Sequence, residues 1–324
     1  MFMLARFAVV IALLWTAALG HAQTNAYPTK PVRMLVGYPA GGLADLIARI
    51  VAQKLTESWG QTAVVENRSG ATGSIAADLV AKAPPDGYTL LVSPQSSLAI
   101  APSLYGKLPY DPLHDFAPIM EIGSSPLLLV VHPSLPVKTF KEFARLIKAH
   151  PENFSYASGG VGTTPHLTGE LLNTMLGVRV LHVPYKGESV GIADVIGGQL
   201  PYMFCNLPVG LPQVRGGKLL GLGISSRSRT PIAPDIPTIT EAGLGEFEAT
   251  TWIALYAPGT TPHDIVARIH ADAAKVLNTP DSKQRFAAQG VDVVAGTPEQ
   301  LGAYLKSETV KWAKVVKDSG ARAD

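Results

Sequence analysis

Cysteine is almost missing from this chain: Cys205 is the only one among 324 residues, so no intramolecular disulfide can form and the fold must rest on burial. A strong charge of one sign is missing too. With 27 Lys and Arg against 25 Asp and Glu, the chain lacks the basic excess that nucleic acid or another polyanion would require, and no nucleic-acid partner is expected. After residue 19 no segment is long and apolar enough to cross a bilayer, which takes roughly 20 residues. Catalytic signatures are absent as well. Where a phosphate-gripping lysine would follow a glycine loop stand Leu43 and Thr163, and there is neither a dinucleotide-binding glycine fingerprint nor a nucleophile elbow. His166 and Glu170 share a helical face four residues apart, yet no third ligand accompanies them, so neither a metal nor a cofactor is expected.

The first 22 residues read as a leader rather than as structure. Arg6 supplies a positive start, Phe7 to Leu19 is a run of 13 residues without charge, and Gly20-His21-Ala22 offers the small residues of a cleavage site. Export with a mature start at Gln23 follows. The remaining length suits two domains or one bilobal unit, with glycine and proline spread along it rather than gathered in a linker.

What is present begins with Val32 to Ala52. Met34, Leu35 and Val36 form a short apolar strand, Tyr38-Pro39-Ala40-Gly41-Gly42 breaks it, and Leu43, Leu46, Ile47, Ile50 and Val51 recur at helical spacing. The turn thus lies at a strand's C-terminal end and a helix's N-terminal end. Free amides of the first helical turn and the helix dipole favour an anion there, and Gly41 and Gly42 admit a ligand close to the backbone. A tight turn without a ligand would use the same glycines. Asp45, early in the helix with Arg49 four residues on, reads either as an organiser of the loop or as a direct ligand contact.

A strand at 63–66, a loop at 67–73, a helix carrying Ile75, Leu79 and Val80, a strand at 88–92 and a loop Ser93-Pro94-Gln95-Ser96 complete a parallel α/β unit. Ligands of such sheets bind outside the carboxyl ends of the strands, which brings Ser93 and Gln95 near the first loop. Two extended segments, 116–123 and 127–132, flank Ser124-Ser125-Pro126 and mark a crossover. The opening logic then repeats: a helix at 139–149, a strand at 154–157, the loop Ser158-Gly159-Gly160-Val161-Gly162-Thr163-Thr164, and a helix at 165–176 containing His166. Pro165 suits a first helical turn and Thr163 or Thr164 its cap. Strands at 178–183, 202–206 and 219–225, the turn Pro184-Tyr185-Lys186-Gly187 and a helix at 189–196 finish the second unit. An irregular stretch leads to a strand at 249–257 that returns to the first unit, followed by helices at 262–277, 282–288 and 298–316.

The segments GYPAGGLADLIAR (37–49), ENRSGATGSIAADLVAKAPPDGYTLL (66–91), SYASGGVGTTPHLTGELL (155–172), HVPYKG (182–187), IGGQLPYMF (196–204) and GISSRSRTPIAPDIPTITEAG (223–243) resemble, in this order and spacing, the Bug family of periplasmic receptors related to tripartite tricarboxylate transporters. The resemblance runs from about Tyr27 to the C-terminus. It implies an α/β periplasmic binding protein of the type II, Venus-flytrap kind. Residues 23–124 and 226–324 would make one lobe and 125–225 the other, each a mainly parallel sheet flanked by helices. It also implies a small organic acid as ligand, inner-membrane transporter subunits or a sensor kinase as partner, and a monomer. The ligand's carboxylate would meet Tyr38, Pro39, Ala40, Gly41 and Gly42 on one side and Ser158, Gly160, Val161, Gly162 and Thr163 on the other. His166 matches the family histidine inside the second helix, and Tyr185 offers an apolar wall. The resemblance also implies an aspartate at position 205 in many relatives, where amino-acid-binding members would pair it with a ligand ammonium, so the thiol of Cys205 predicts an amine-free mono- or dicarboxylate, aliphatic or aromatic. An exported hydrolase using His166 with Asp45 or Cys205 is the competing class, and an interaction module such as a sensor's soluble partner a third. No adjacent nucleophile and base support the hydrolase.

Overall fold

The computed structural model describes residues 27–323, so the expected leader lies outside the described residues. Strand β1 (Val32–Val36) leads through the first glycine turn to helix α1 (Leu43–Trp59), and then come β2 (Ala63–Asn67), α2 (Ser74–Ala81) and β3 (Thr89–Pro94). In α1 the buried Leu43, Ala44, Ile47, Ala48, Val51, Ala52 and Leu55 recur every three to four residues, and Gly60 closes the helix with φ 65°, a left-handed turn that only glycine adopts without strain. β2, β1 and β3 pair in parallel. A π-helical turn at Ser96–Ile100 and a short helix α3 (Ala101–Tyr105) follow where a plain loop is expected.

The chain then crosses over on β4, which runs unbroken from Phe116 to Val131. The two extended segments expected on either side of Ser124-Ser125-Pro126 are thus one strand, and the crossover passes through these residues without a break. Pro126 stands where β4 ends its pairing with one neighbour and Leu127 begins pairing with another, so the missing proline N–H falls at the handover between ladders and costs no bond. Beyond it lie α4 (Phe140–Ala149), β5 (Ser155–Ser158), α5 (Thr164–Leu176), β6 (Leu181–Pro184), α6 (Glu188–Ile196), β7 (Tyr202–Asn206), α7 (Leu207–Arg215) and β8 (Leu220–Ile224). Thr139 and Glu142 form a reciprocal capping box on α4. Helix α7 escapes a sequence reading because Pro208 and Pro212 punctuate it.

The chain returns on β9 (Thr250–Pro258), which runs antiparallel to both β3 and β4. Helices α8 (His263–Leu277) and α9 (Pro280–Ala288), the short β10 (Asp292–Val293) and α10 (Pro298–Ser319) end it. The strand order is β2-β1-β3-β9-β4-β7-β5-β6, with β8 and β10 on β4. β4 is therefore common to two half-sheets. α1, α8 and α9 cover one face of the first and α2, α3 and α10 the other. The second is sandwiched between α4 and α5 on one side and α6 and α7 on the other. This is the two-lobed α/β architecture of periplasmic binding proteins.

Ser225 ties the two crossing strands together. Its hydroxyl donates to the Ala249 carbonyl at 2.5 Å and accepts the Leu127 amide at 2.8 Å, while its backbone bonds both segments again at 2.9 and 3.0 Å. One buried side chain thus couples the outgoing and returning connections at the point about which the lobes would turn. Among the described residues no helix is long and apolar enough to cross a membrane.

Candidate functional site

The carboxyl ends of β1, β3, β5, β6 and β7 point into the cleft between the lobes, and the start of β9 closes its floor. Pro39 and Gly187 touch across the cleft: a Cβ built on Gly187 would lie 3.1 Å from the Pro39 ring. Nearby, Thr72 donates to the Val161 carbonyl at 2.8 Å, again from lobe to lobe. The lobes are closed. Their contact divides the cleft into an outer vestibule of about 540 Å³ and an inner chamber of about 50 Å³.

The inner chamber has a donor wall. Gly42 caps α1 with no side-chain bond to its first turn, so the first-turn amides have no intrahelical acceptor, and Gly42, Leu43 and Ala44 line the chamber. Asp45 does not take up these amides. Burial opposes its charge, but bonds from Arg49, the Gly41 amide and Asn67 prevail and hold it below the usual aspartate range. The Gly41 amide and Arg49 Nε each reach its Oδ2 at 3.0 Å, and Asn67 reaches Oδ1 at 3.0 Å and the Tyr38 carbonyl at 2.9 Å. Asp45 is therefore committed to organising the loop, and the Gly41 amide is spent on it. Ala40 and Gly41 sit on the outside.

The second glycine loop is held from beneath by a stack of rings. His166 lies on His182 with centroids 3.8 Å apart, and His182 lies on Tyr156 at 5.0 Å. His166 Nδ1 accepts the Gly162 amide at 3.0 Å, which fixes the neutral Nε2–H tautomer. Burial pushes His166 down to about 4; burial and the neighbouring His166 push His182 to about 3. Ser158 Oγ binds His182 Nε2 at 2.6 Å and accepts the Gly160 amide at 3.1 Å. His166 and Ser158 thus position the loop, and the amides of Gly160 and Gly162 are engaged within it. Gly162 packs towards Leu104 of the other lobe.

Of the other expected residues, Tyr38, Pro39 and Thr163 face both compartments, while Gly160, Val161 and Tyr185 face the vestibule. The loop after β3 contributes Pro94 and Ser96 rather than Ser93 and Gln95. Gln95 is turned to the β9 backbone, donating to the Thr250 carbonyl at 2.7 Å and accepting the Trp252 amide at 2.9 Å. Ser93 bonds Ser97 at 2.8 Å.

Cys205 needs the largest correction. It is fully buried on the far face of β7, 3.7 Å from the Leu128 carbonyl and packed among Leu128, Val130, Met203 and Leu207. Burial and Glu188 push its thiol well up, so it is neither a nucleophile nor a wall of the chamber. Asn206, one residue on, is the strand end that lines it. Cys205 therefore speaks neither for nor against an amine on the ligand, since it does not line the chamber.

Sequence reasoning missed Asn206, Glu188, Thr164 and Thr251, all of which line the chamber. Glu188 carried a readable signal. It opens α6 directly after Gly187, a third strand-to-helix turn at a carboxyl edge. Thr164 Oγ1, Asn206 Oδ1 and Thr251 Oγ1 are buried and have no hydrogen-bond partner; buried polar groups are rarely left so except where a ligand or water completes them. Among the described residues no group of three His, Cys, Asp or Glu could hold a metal. His166 Nε2 and Glu170 stand 3.9 Å apart, with Glu170 bonded instead to the Tyr156 hydroxyl at 2.5 Å.

Two lobes hinged on shared strands, closed over a small chamber that a helix N-terminus lines, define a solute-binding protein of the periplasmic type. Residues 47–321 match the model of the tripartite tricarboxylate transporter family receptor, and the chain belongs to that family of receptors. It is 36% identical to BugT of Bordetella pertussis over 99% of this chain and 98% of that one. Among solved structures it resembles an R. palustris protein with adipate (34% identity, TM-score 0.88, 91% of this chain and 99% of the other). It also resembles MatC from Rhodopseudomonas palustris with bound malate (33% identity, TM-score 0.83, 90% and 100%).

Proposed function

We propose that this chain binds a small organic carboxylate in the periplasm, in the inner chamber between lobe 23–124 with 226–324 and lobe 125–225. The carrying observation is that an uncapped helix N-terminus of the first lobe lines one chamber with Thr164 and Asn206 of the second lobe and Thr251 of the floor strand, each of which has a buried side-chain oxygen without a partner. The carboxylate lies on the amides of Gly42 to Ala44, where the dipole contributes up to about 2 kcal/mol in a partly buried setting, and Thr163 and Thr164 approach it from the other lobe. Adipate and malate in the two similar structures support this ligand class. The chain acts without catalysis: the engaged Nδ1 of His166 and the buried thiol of Cys205 offer no base and nucleophile to a substrate. As a monomer it passes its ligand to inner-membrane transporter subunits or to a sensor kinase, having been exported by a leader that ends at Ala22.

Two measurements test this. Thermal unfolding of the mature chain against a carboxylate library should show a stabilisation of about 2.7 kcal/mol for the true ligand at 100 times its Kd; a library of mono-, di- and amino carboxylates with no shift at millimolar concentration refutes the receptor reading. Mass spectrometry of periplasmic protein should find Gln23 first, and full-length chain retained in the cytoplasm refutes the export reading.

A further inference from the structure

In the loop before α2 four consecutive residues hold positive φ: Gly70 at 135°, Ala71 at 46°, Thr72 at 57° and Gly73 at 86°. Glycine takes such angles freely, but a β-branched residue does so only under strain, and strain of this kind persists where the surroundings fix it. Here they do. The Thr72 carbonyl accepts the Tyr38 hydroxyl at 3.0 Å and the Ser97 hydroxyl at 3.1 Å, and a Cβ built on Gly73 would lie 2.2 Å from Ser97 Oγ. Tyr38 and Ser97 belong to the same lobe as Thr72, so the bend does not depend on closure. It aims the Thr72 hydroxyl at the other lobe, where it donates to the Val161 carbonyl at 2.8 Å. A hydroxyl has one proton to give, so the Tyr105 hydroxyl, 2.8 Å from Thr72 Oγ1, is the donor to Thr72. The result is a relay from Tyr105 through Thr72 to Val161 in which each bond polarises the next. The Thr72 methyl lies 3.4 Å from the place where Gly162 would carry a Cβ. Away from the segments that connect the lobes, no other hydrogen bond among the described residues passes between them.

We infer that Thr72 is an interlobe latch: a strained residue held ready on one lobe, whose hydroxyl locks onto the Val161 carbonyl when the cleft closes and so sets how long a ligand stays. This rests on the reading of the cleft as a receptor that binds with its lobes closed. Thr72 lines the vestibule and not the inner chamber, so it acts on the closed state and not by touching the ligand. A bond made only in the closed state shifts the equilibrium towards that state and slows opening. A ligand enclosed behind it leaves only after opening, whereas association starts from lobes apart, so the bond acts on the dissociation rate. A hydroxyl fixed in advance also loses little conformational freedom on closing. That preorganisation gives a physical role to a backbone conformation that threonine otherwise avoids.

Pulsed electron paramagnetic resonance tests the latch by reading the closed and open populations directly. Spin labels go on Val64→Cys and Leu181→Cys, exposed positions on β2 and β6 at opposite ends of the strand order, while Cys205 is buried and out of a label's reach. The mature chain is measured without acid and with adipate or malate at millimolar concentration. Thr72→Val keeps the branched shape and removes the hydroxyl, and it should lower the closed-to-open ratio about tenfold or more. Thr72→Ser keeps the hydroxyl and should stay within about threefold of the wild type. Stopped-flow release of either acid, where it binds, should quicken by the same factor in Thr72→Val, with its association rate changed less than about threefold. Melting temperatures check that both variants remain folded. An equal closed-to-open ratio in Thr72→Val and the wild type overturns the latch and leaves the receptor reading standing, as does a loss in Thr72→Ser as large as that in Thr72→Val. A wild type without a closed population under any of these conditions overturns the latch and the closed cleft together.

Discussion

Replacing Gly187 by valine is expected to lower ligand affinity at least a hundredfold while leaving each lobe folded. Gly187 precedes α6 with φ 114° and ψ 151°, a region that side chains enter only at a cost of about 1 to 3 kcal/mol. More important is its place in the cleft. The built Cβ already lies 3.1 Å from Pro39 Cγ, and the two valine methyls would extend further towards the Pro39 ring, so the lobes could not reach the closed contact. Closure is what brings the α1 amides and the Glu188 wall around one ligand. Preventing it leaves each half-site open to water, where a dipole or a single charge contributes a few tenths of a kcal/mol to 1 kcal/mol. Small-angle scattering with saturating ligand should show compaction of the wild type and none of Gly187→Val. Gly187→Ala, with no methyls beyond Cβ, should fall between them. Unchanged affinity in the valine variant, with normal unfolding, would refute the closed contact as the binding state.

Acid is expected to destabilise this protein through the stacked histidines. Both imidazoles are neutral in the fold, with His166 lowered to about 4 and His182 to about 3, whereas in the unfolded chain each titrates near 6.5. Below that value the unfolded chain binds more protons than the folded one, so stability is full above pH 6.5 and is lost as pH falls through 4 towards 3. The loss is on the order of 3 kcal/mol for His166 alone. Other groups titrate in the same window with the opposite sign. Burial and Glu308 raise Glu121 to about 7, and burial raises Glu188 against the bonds from Asn206. The measurement is therefore a difference between proteins. His166→Asn keeps an acceptor for the Gly162 amide and His182→Gln one for Ser158, and neither titrates. Urea unfolding at pH 7, 5.5 and 4, followed by tryptophan fluorescence, should show wild-type stability falling relative to the double variant. Parallel curves would remove the histidines from the acid response. Because the stack carries the loop from Ser158 to Thr163, ligand release is expected to follow the same profile.

The sequence by itself determined which local elements form and where a ligand could approach. Helical spacing of apolar residues places α1 and, with Thr139, Glu142 and Thr163 as caps, α4 and α5. These are short-range matters: a side chain's neighbours one turn away are set by its position in the chain. The two glycine loops follow for the same reason, since a strand end joined by glycine to a helix start presents amides whatever surrounds it. Which residues line the chamber depends on the tertiary structure. Cys205 and Asn206 are adjacent in sequence, yet strand alternation sends Cys205 into the core beneath α7 and puts Asn206 at the chamber, and one residue of uncertainty in strand phase exchanges their roles. Asp45, His166 and Gln95 are polar, conspicuous and near the site, but each is consumed by partners 4 to 157 positions away that only folding brings together. Glu188 is held at the chamber by Asn206, eighteen residues on, whose backbone and side-chain amides bind both its carboxylate oxygens. The unbroken course of β4 through Pro126 was decided in the same way, by two different neighbours taking up the ladder on either side of a residue that has no N–H to offer.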